Sequence, residues 1–166
     1  MGRVVITHTL DVTPEDYWRR CLLSESFNDE YFVKGLGFRV YEVLESREED
    51  GKHFRRIRTI PQVDPPRVIK KAIGGEFAYI EEGVFDGESY SFSIKPSVMA
   101  DKILINGSFR AEPIGEGKMK RIATMDIKVK IFGIGKAIES YIEQSTRENF
   151  NSGIGFIREF LARPEP

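Results

Sequence analysis

Between Val4 and Leu10 the chain alternates: Val4, Ile6, His8 and Leu10 share one face, and Val5, Thr7 and Thr9 the other. A period of two predicts a first strand. The pattern then shifts to helical spacing in "DVTPEDYWRRCLL", with Thr13 placed to cap, Pro14 at the first position and acids in the first turn. Its apolar stripe is Tyr17, Trp18, Cys21 and Leu22, and a second short helix is expected around "SFNDEYFV". From Gly37 the period returns to two, predicting strands near 37–48, 51–60, 76–86, 89–95, 103–112 and 118–131. Two alternate cleanly. Tyr90, Phe92 and Ile94 oppose Ser89, Ser91 and Ser93, while Ala123, Met125, Ile127, Val129 and Ile131 oppose Thr124, Asp126, Lys128 and Lys130. Such strands belong to an antiparallel sheet with one wet face. "EDGK", "FDGES" and "IGEGK" supply its hairpin turns.

Ile131 to Leu161 reads as one long helix whose main stripe changes character. Along Ile138, Ile142, Ser145, Asn149, Gly153, Phe156 and Phe160 the ends are large and apolar, but the centre is small or polar. A helix of about 28 residues spans ~42 Å, enough to cross a whole sheet. One helix cannot cover seven flat strands, so the sheet must curl around it, and a curled sheet leaves room beneath the helix. On this reading the space under Ser145, Asn149 and Gly153 holds a ligand. The rival reading rotates the helix slightly, buries Thr146, Phe150, Ile154, Ile157 and Leu161 in a packed core, and leaves Gly153 and Gly155 as a kink. Both stand on the helix pattern alone.

Composition narrows the class. With 166 residues, the span 1–166 is expected to form a single domain with a real core. Hydrophobic residues make up 40% and charged ones 31%, the balance of a globular chain, and a net charge of −1 provides no global field to draw in nucleic acid. One cysteine, Cys21, excludes an internal disulfide and suits a reducing compartment. No apolar run approaches the ~20 residues that span a bilayer, and the N-terminus alternates like a strand rather than a signal peptide. Myristoylation at Gly2 is disfavoured because position 6 is Ile. The expected location is the cytoplasm.

The element order (strand, two short helices, six strands, long C-terminal helix) resembles the START-like superfamily, the helix-grip fold shared with the birch-pollen allergen family, over nearly the whole chain. "EEGVFDGESYSFSIKPSVMADKI" followed by "VKIFGIGKAIESYIEQSTREN" looks like an uncharacterised bacterial branch of it. The "IFGIGKAIE" lead-in to the last helix is similar to that of PRELI-type phospholipid carriers, and VASt-type sterol-transfer domains are a looser comparison. The resemblance implies an α+β helix-grip domain that binds or transfers a lipid or other hydrophobic molecule. It brings no cofactor and no catalytic motif to carry over.

Candidate ligand contacts follow from residues facing the concave side. Phe92, Met125 and Ile142 are the apolar ones, beside Ser145, Asn149 and Gly153. His8 lies in phase with Val4, Ile6 and Leu10, as a core histidine or a ligand contact. In "GEFAYIEEGVF", Glu81 is in phase with Phe77, Tyr79 and Phe85; a second phase turns Ile80, Glu82 and Val84 inward instead. With Tyr79 and Glu81 inward, the carboxylate needs a partner, and Arg56 or Arg58 on the preceding strand could supply it. Such a pair would grip a ligand head group or satisfy itself.

The loop "IPQVDPPRVIKKAIGGEF" predicts a short helix over 65–73, capped by Asp64 and closed by Gly74. Val68, Ile69, Ala72 and Ile73 form its stripe, with Arg67, Lys70 and Lys71 alongside. It reads as a lid that touches an anionic membrane, or as a connector packed on the sheet. Nothing in the chain resembles a metal-ligand cluster, a phosphate-cradling loop or a nucleophile motif. The basic stretches "FRRIR" and "KMKR" read as wet sheet face rather than nucleic-acid contacts. An enzymatic alternative, a cyclase or hydratase acting on a hydrophobic substrate, would use His8, Tyr79 and Glu81 as acid or base groups. A regulatory domain with an empty cavity is a third class.

Overall fold

The computed structural model describes residues 1–165; Pro166, the end of the span expected to form the domain, lies outside them. Strand β1 (Gly2–Leu10) leads into helix α1 (Pro14–Tyr17), which continues as a π-helical turn over Trp18–Leu22. Thr13 caps α1 as expected, its side chain accepting from the Asp16 amide at 3.2 Å. Helix α2 (Glu25–Glu30) is capped by Ser24 and also widens into a π-helical turn, Tyr31–Gly35. Six strands follow: β2 (Val40–Glu49), β3 (Lys52–Ile60), β4 (Tyr79–Phe85), β5 (Ser89–Pro96), β6 (Ile103–Gly115) and β7 (Lys118–Val129). Helix α3 (Arg67–Ile73) interrupts them after β3, and α4 (Gly135–Ala162) closes the chain.

All seven strands form one antiparallel sheet in the order β1-β7-β6-β5-β4-β3-β2. Strands β2 to β7 are a meander; β1 alone reaches across the chain, Val4 lying opposite Met125. The sheet curls around α4, whose Ile138, Ile154 and Ile157 are buried with Val4, Tyr90 and Ile127 from the sheet. This is the α+β helix-grip fold. Among the described residues no helix is long and apolar enough to cross a membrane.

Local expectations need four corrections. The long helix begins at Gly135, not near Ile131, because Gly133 takes a φ of +81° that no helix continues through. Helix α3 starts two residues later than predicted, with Pro66 in the cap position, and Asp64 pairs instead with Lys70 Nζ at 3.1 Å. Its C-terminal boundary at Gly74 is as expected. The α3 stripe also splits: Ile69 and Ile73 are buried, whereas Val68 is 60% exposed beside Arg67 and Lys71. Finally, the supposed wet stretches each send residues inward, Arg55 from "FRRIR" and Met119 and Arg121 from "KMKR".

Candidate functional site

Between the concave face of the sheet and α4 lies a cavity of ≈ 160 Å³. Its wall is almost entirely apolar. Ser145 and Asn149 of α4 stand over it, as does Ile142, and Phe92 and Met125 line it from the sheet. Tyr79 and Glu81 complete the group of predicted residues brought to one place. Strand β4 therefore turns its Tyr79–Glu81 phase inward and not its Ile80–Glu82 phase. At one end the cavity is bounded by Ile73 of α3 and by Pro61, Val63 and Phe77 beside it. Of the lid residues, Ile69 packs in the core, and Arg67, Val68, Lys70 and Lys71 point to solvent.

Three predicted contacts lie elsewhere. Gly153 is buried, but an added Cβ would meet the Tyr31 hydroxyl at 2.6 Å and Leu36 at 3.1 Å. The space under it is filled by Tyr31 and Leu36 of the segment after α2, so Gly153 does not face the cavity, although Phe150 and Ile157 on either side of it do. Arg58 takes the outer phase of β3, and its Nη1 faces Glu42 at 3.7 Å. His8 points inward from β1 but reaches α4 beyond the cavity, its Nε2 sharing a 3.0 Å hydrogen bond with Asn151 Oδ1. Burial holds the His8 pKa below 6.5; the bond to Asn151 opposes this, and the charges of Arg121 and Arg158 add to it.

Glu81 does have an arginine partner, and it is Arg55. The Arg55 Nη2 stands 3.3 Å from Glu81 Oε2, while the Tyr90 hydroxyl donates to the same oxygen at 2.7 Å. Arg55 Nε and Nη1 donate onward to Tyr90 Oη at 3.3 Å and to the Leu22 carbonyl at 3.0 Å. Asn28 donates to that carbonyl as well, at 2.9 Å. The network ties the first helical segment to β3, β4 and β5 and satisfies itself. Gly83 gives it room, since a Cβ there would fall 2.0 Å from the Tyr90 hydroxyl. Breaking one partner of such a buried pair costs ~3–5 kcal/mol. Tyr90 and Tyr79 are both held protonated, chiefly by burial. Burial also pushes the Cys21 thiol up to about 12, which removes it as a nucleophile.

Of the cavity residues that the sequence reading did not single out, Arg121 stands apart. Arg121 of β7 is 2% exposed, lines the cavity, and its Nε and Nη2 have no hydrogen-bond partner. The phase that put Ala123 and Met125 inside extends back through Arg121 to Met119, so the signal was present. It was hidden by the lysines on either side of Met119. Among the described residues no group of three or more His, Cys, Asp and Glu side chains could hold a metal ion.

Comparison with known proteins agrees with this architecture. A family described as "Protein of unknown function (DUF2505)" matches residues 5–161. No curated protein matches at a significant level. Among solved structures, a START superfamily protein from Mycobacterium smegmatis aligns with a TM-score of 0.65 at 16% identity, covering 96% of this chain and 99% of that one. The Zhui aromatase/cyclase from a Streptomyces species aligns at 0.64 and 14% identity, covering 93% and 92%. A Thermus thermophilus protein aligns at 0.65 and 17%, covering 96% of each chain. At these identities the likeness is one of fold.

Proposed function

This chain belongs to the DUF2505 family, and we propose that it binds a small hydrophobic molecule non-covalently in the cavity between sheet and α4. The observation that carries the reading is the thin centre of α4: Ser145 and Asn149 stand over open space walled by Phe92, Ile142 and Met125. An empty apolar cavity forfeits dispersion contacts along its whole lining, and an apolar occupant restores them. Size limits the ligand. About 150 Å³ of apolar cavity accommodates a benzene ring, and drug-sized sites run from ~300 Å³ upward. At this volume the protein takes a single aromatic ring or a short acyl chain; a full lipid requires the cavity to widen.

The part of the wall best suited to open is α3 with its flanking loops. It holds the core through only two buried side chains, Ile69 and Ile73, and its outer face sets Val68 among Arg67 and Lys71. We assign it the role of a lid that exchanges ligand, aided by transient contact with an anionic membrane. An enzymatic role ranks second, since Glu81 is bound to Arg55 and Tyr90 rather than free to exchange a proton with a substrate.

Calorimetric titration with 1-octanol tests the binding reading, together with native mass spectrometry of the purified protein for a co-purified ligand. The expected result is one saturable site that Ser145→Trp abolishes while the fold, followed by circular dichroism, persists. No saturable binding of octanol, and no ligand carried through purification, would overturn it.

A further inference from the structure

Among the described residues, Arg121 is the one charged group in the cavity wall that no opposite charge pairs. Arg55 and Glu81 satisfy each other, whereas the guanidinium of Arg121 has neither Nε nor Nη2 hydrogen-bonded and is 2% exposed. Its surroundings offer only weak compensation. The rings of Phe109 and Phe150 lie 5.6 and 5.9 Å from its central carbon, and its polar neighbours Tyr17 and Tyr31 are neutral phenols within hydrogen-bonding reach. Two titratable neighbours remain: His8, directly opposite on β1 and held neutral by burial and partly by Arg121 itself, and the Cys21 thiol, which burial keeps protonated. No carboxylate faces it among the described residues. Arginine cannot shed its proton to escape burial, and a cation removed from water stays costly unless an anion or a full set of acceptors meets it.

We propose that the cavity ligand carries a carboxylate, which the guanidinium of Arg121 receives while the apolar body lies beneath Ser145 and Asn149. The planar guanidinium fork matches a carboxylate with parallel hydrogen bonds. The chemistry selects an amphipathic monoanion: an aromatic or short-chain aliphatic acid. Its charge is neutralised on Arg121, and its hydrocarbon fills the space that the packing leaves open. A neutral molecule of equal size would fill the same space and leave the guanidinium unpaired. The two phenols can turn their hydroxyl groups to donate to the same carboxylate. The proposal rests on the cavity-binding reading and narrows it to one class of ligand.

The test compares octanoate with 1-octanol, which share a chain and differ in charge, by calorimetric titration at one salt concentration. Wild-type protein should prefer octanoate by at least tenfold. In Arg121→Met the preference should vanish or reverse, and Arg121→Lys, which restores a charge but not the fork, should recover only part of it. Equal affinities in the wild type would overturn the carboxylate and leave cavity binding standing. A preference that survives in Arg121→Met would also overturn it, by moving the anion contact elsewhere. Failure of both compounds to bind would overturn both readings. Equal wild-type affinities overturn the proposal without any variant, so the test does not depend on either variant folding.

Discussion

Gly153 and Gly155 sit two residues apart on α4 and have opposite surroundings. A Cβ at Gly155 would meet nothing within 4 Å, whereas at Gly153 it would press on Tyr31 and Leu36. The helix gains up to ~1 kcal/mol from either change to Ala, but overpacking at Gly153 costs ~1–3 kcal/mol. Gly155→Ala should therefore stabilise the protein by up to ~1 kcal/mol, and Gly153→Ala should destabilise it by a similar amount. Urea denaturation midpoints read both, and two changes of the same sign would refute the packing under Gly153. The sequence exposed the small residue there but not what filled the space, because Tyr31 comes from an element more than a hundred residues away.

His8 allows a second test at this scale. Its folded pKa lies below 6.5, mainly through burial. Above that value His8 is neutral in both folded and unfolded chains, and its contribution to stability is fully present. As pH falls below 6.5 the unfolded chain takes up the proton first, so stability drops until the lowered folded value is passed. His8→Gln should remove that part of the decline. Comparing denaturation midpoints at about pH 7.5 and 5.5 isolates it from His53, which is common to both proteins. An unchanged pH dependence in the variant would remove His8 from the account.

At the scale of elements, the pattern was readable wherever one face alone was apolar. Strands β5 and β7 follow the predicted phases, and α1 and α2 begin at their polar caps. It failed where charges turn inward. In β3 the inward phase is Arg55, Ile57 and Thr59, two of them polar, so apolar alternation did not mark Arg55 as the partner of Glu81. Electrostatic complementarity across β3 and β4, not hydrophobicity, fixes that phase.

Helix α3 belongs to the same scale. If it is a lid that touches anionic membranes, its two faces should respond to different changes. Reversing charge at Arg67 and Lys71 should weaken binding to phosphatidylglycerol vesicles by more than tenfold at low salt, given ~1 kcal/mol per basic residue. That effect should fade as salt rises. Val68→Ser should weaken docking at every salt concentration, since it removes apolar contact rather than charge. Vesicle co-sedimentation of the three proteins decides the matter. Indifference to all of these would reduce α3 to a connector.

At the scale of the molecule, the order of elements along the chain also sets the order in which they can assemble. Apart from β3 and β4, which α3 and its loops separate, each strand from β2 to β7 finds its neighbour a few residues away, so the meander forms largely hairpin by hairpin as synthesis proceeds. Strand β1 is made first and pairs last but one, because its partner β7 begins at Lys118. Helix α4 follows that partner. Until it emerges, the inner face of the sheet, with Phe92, Ile105 and Met125, has no cover. The nascent chain thus passes through a stage in which its most apolar surface is open, a stage that favours aggregation or capture by a chaperone. The same stage is the widest doorway the cavity ever has: a molecule too large to pass the finished wall could be enclosed once, at birth, and remain.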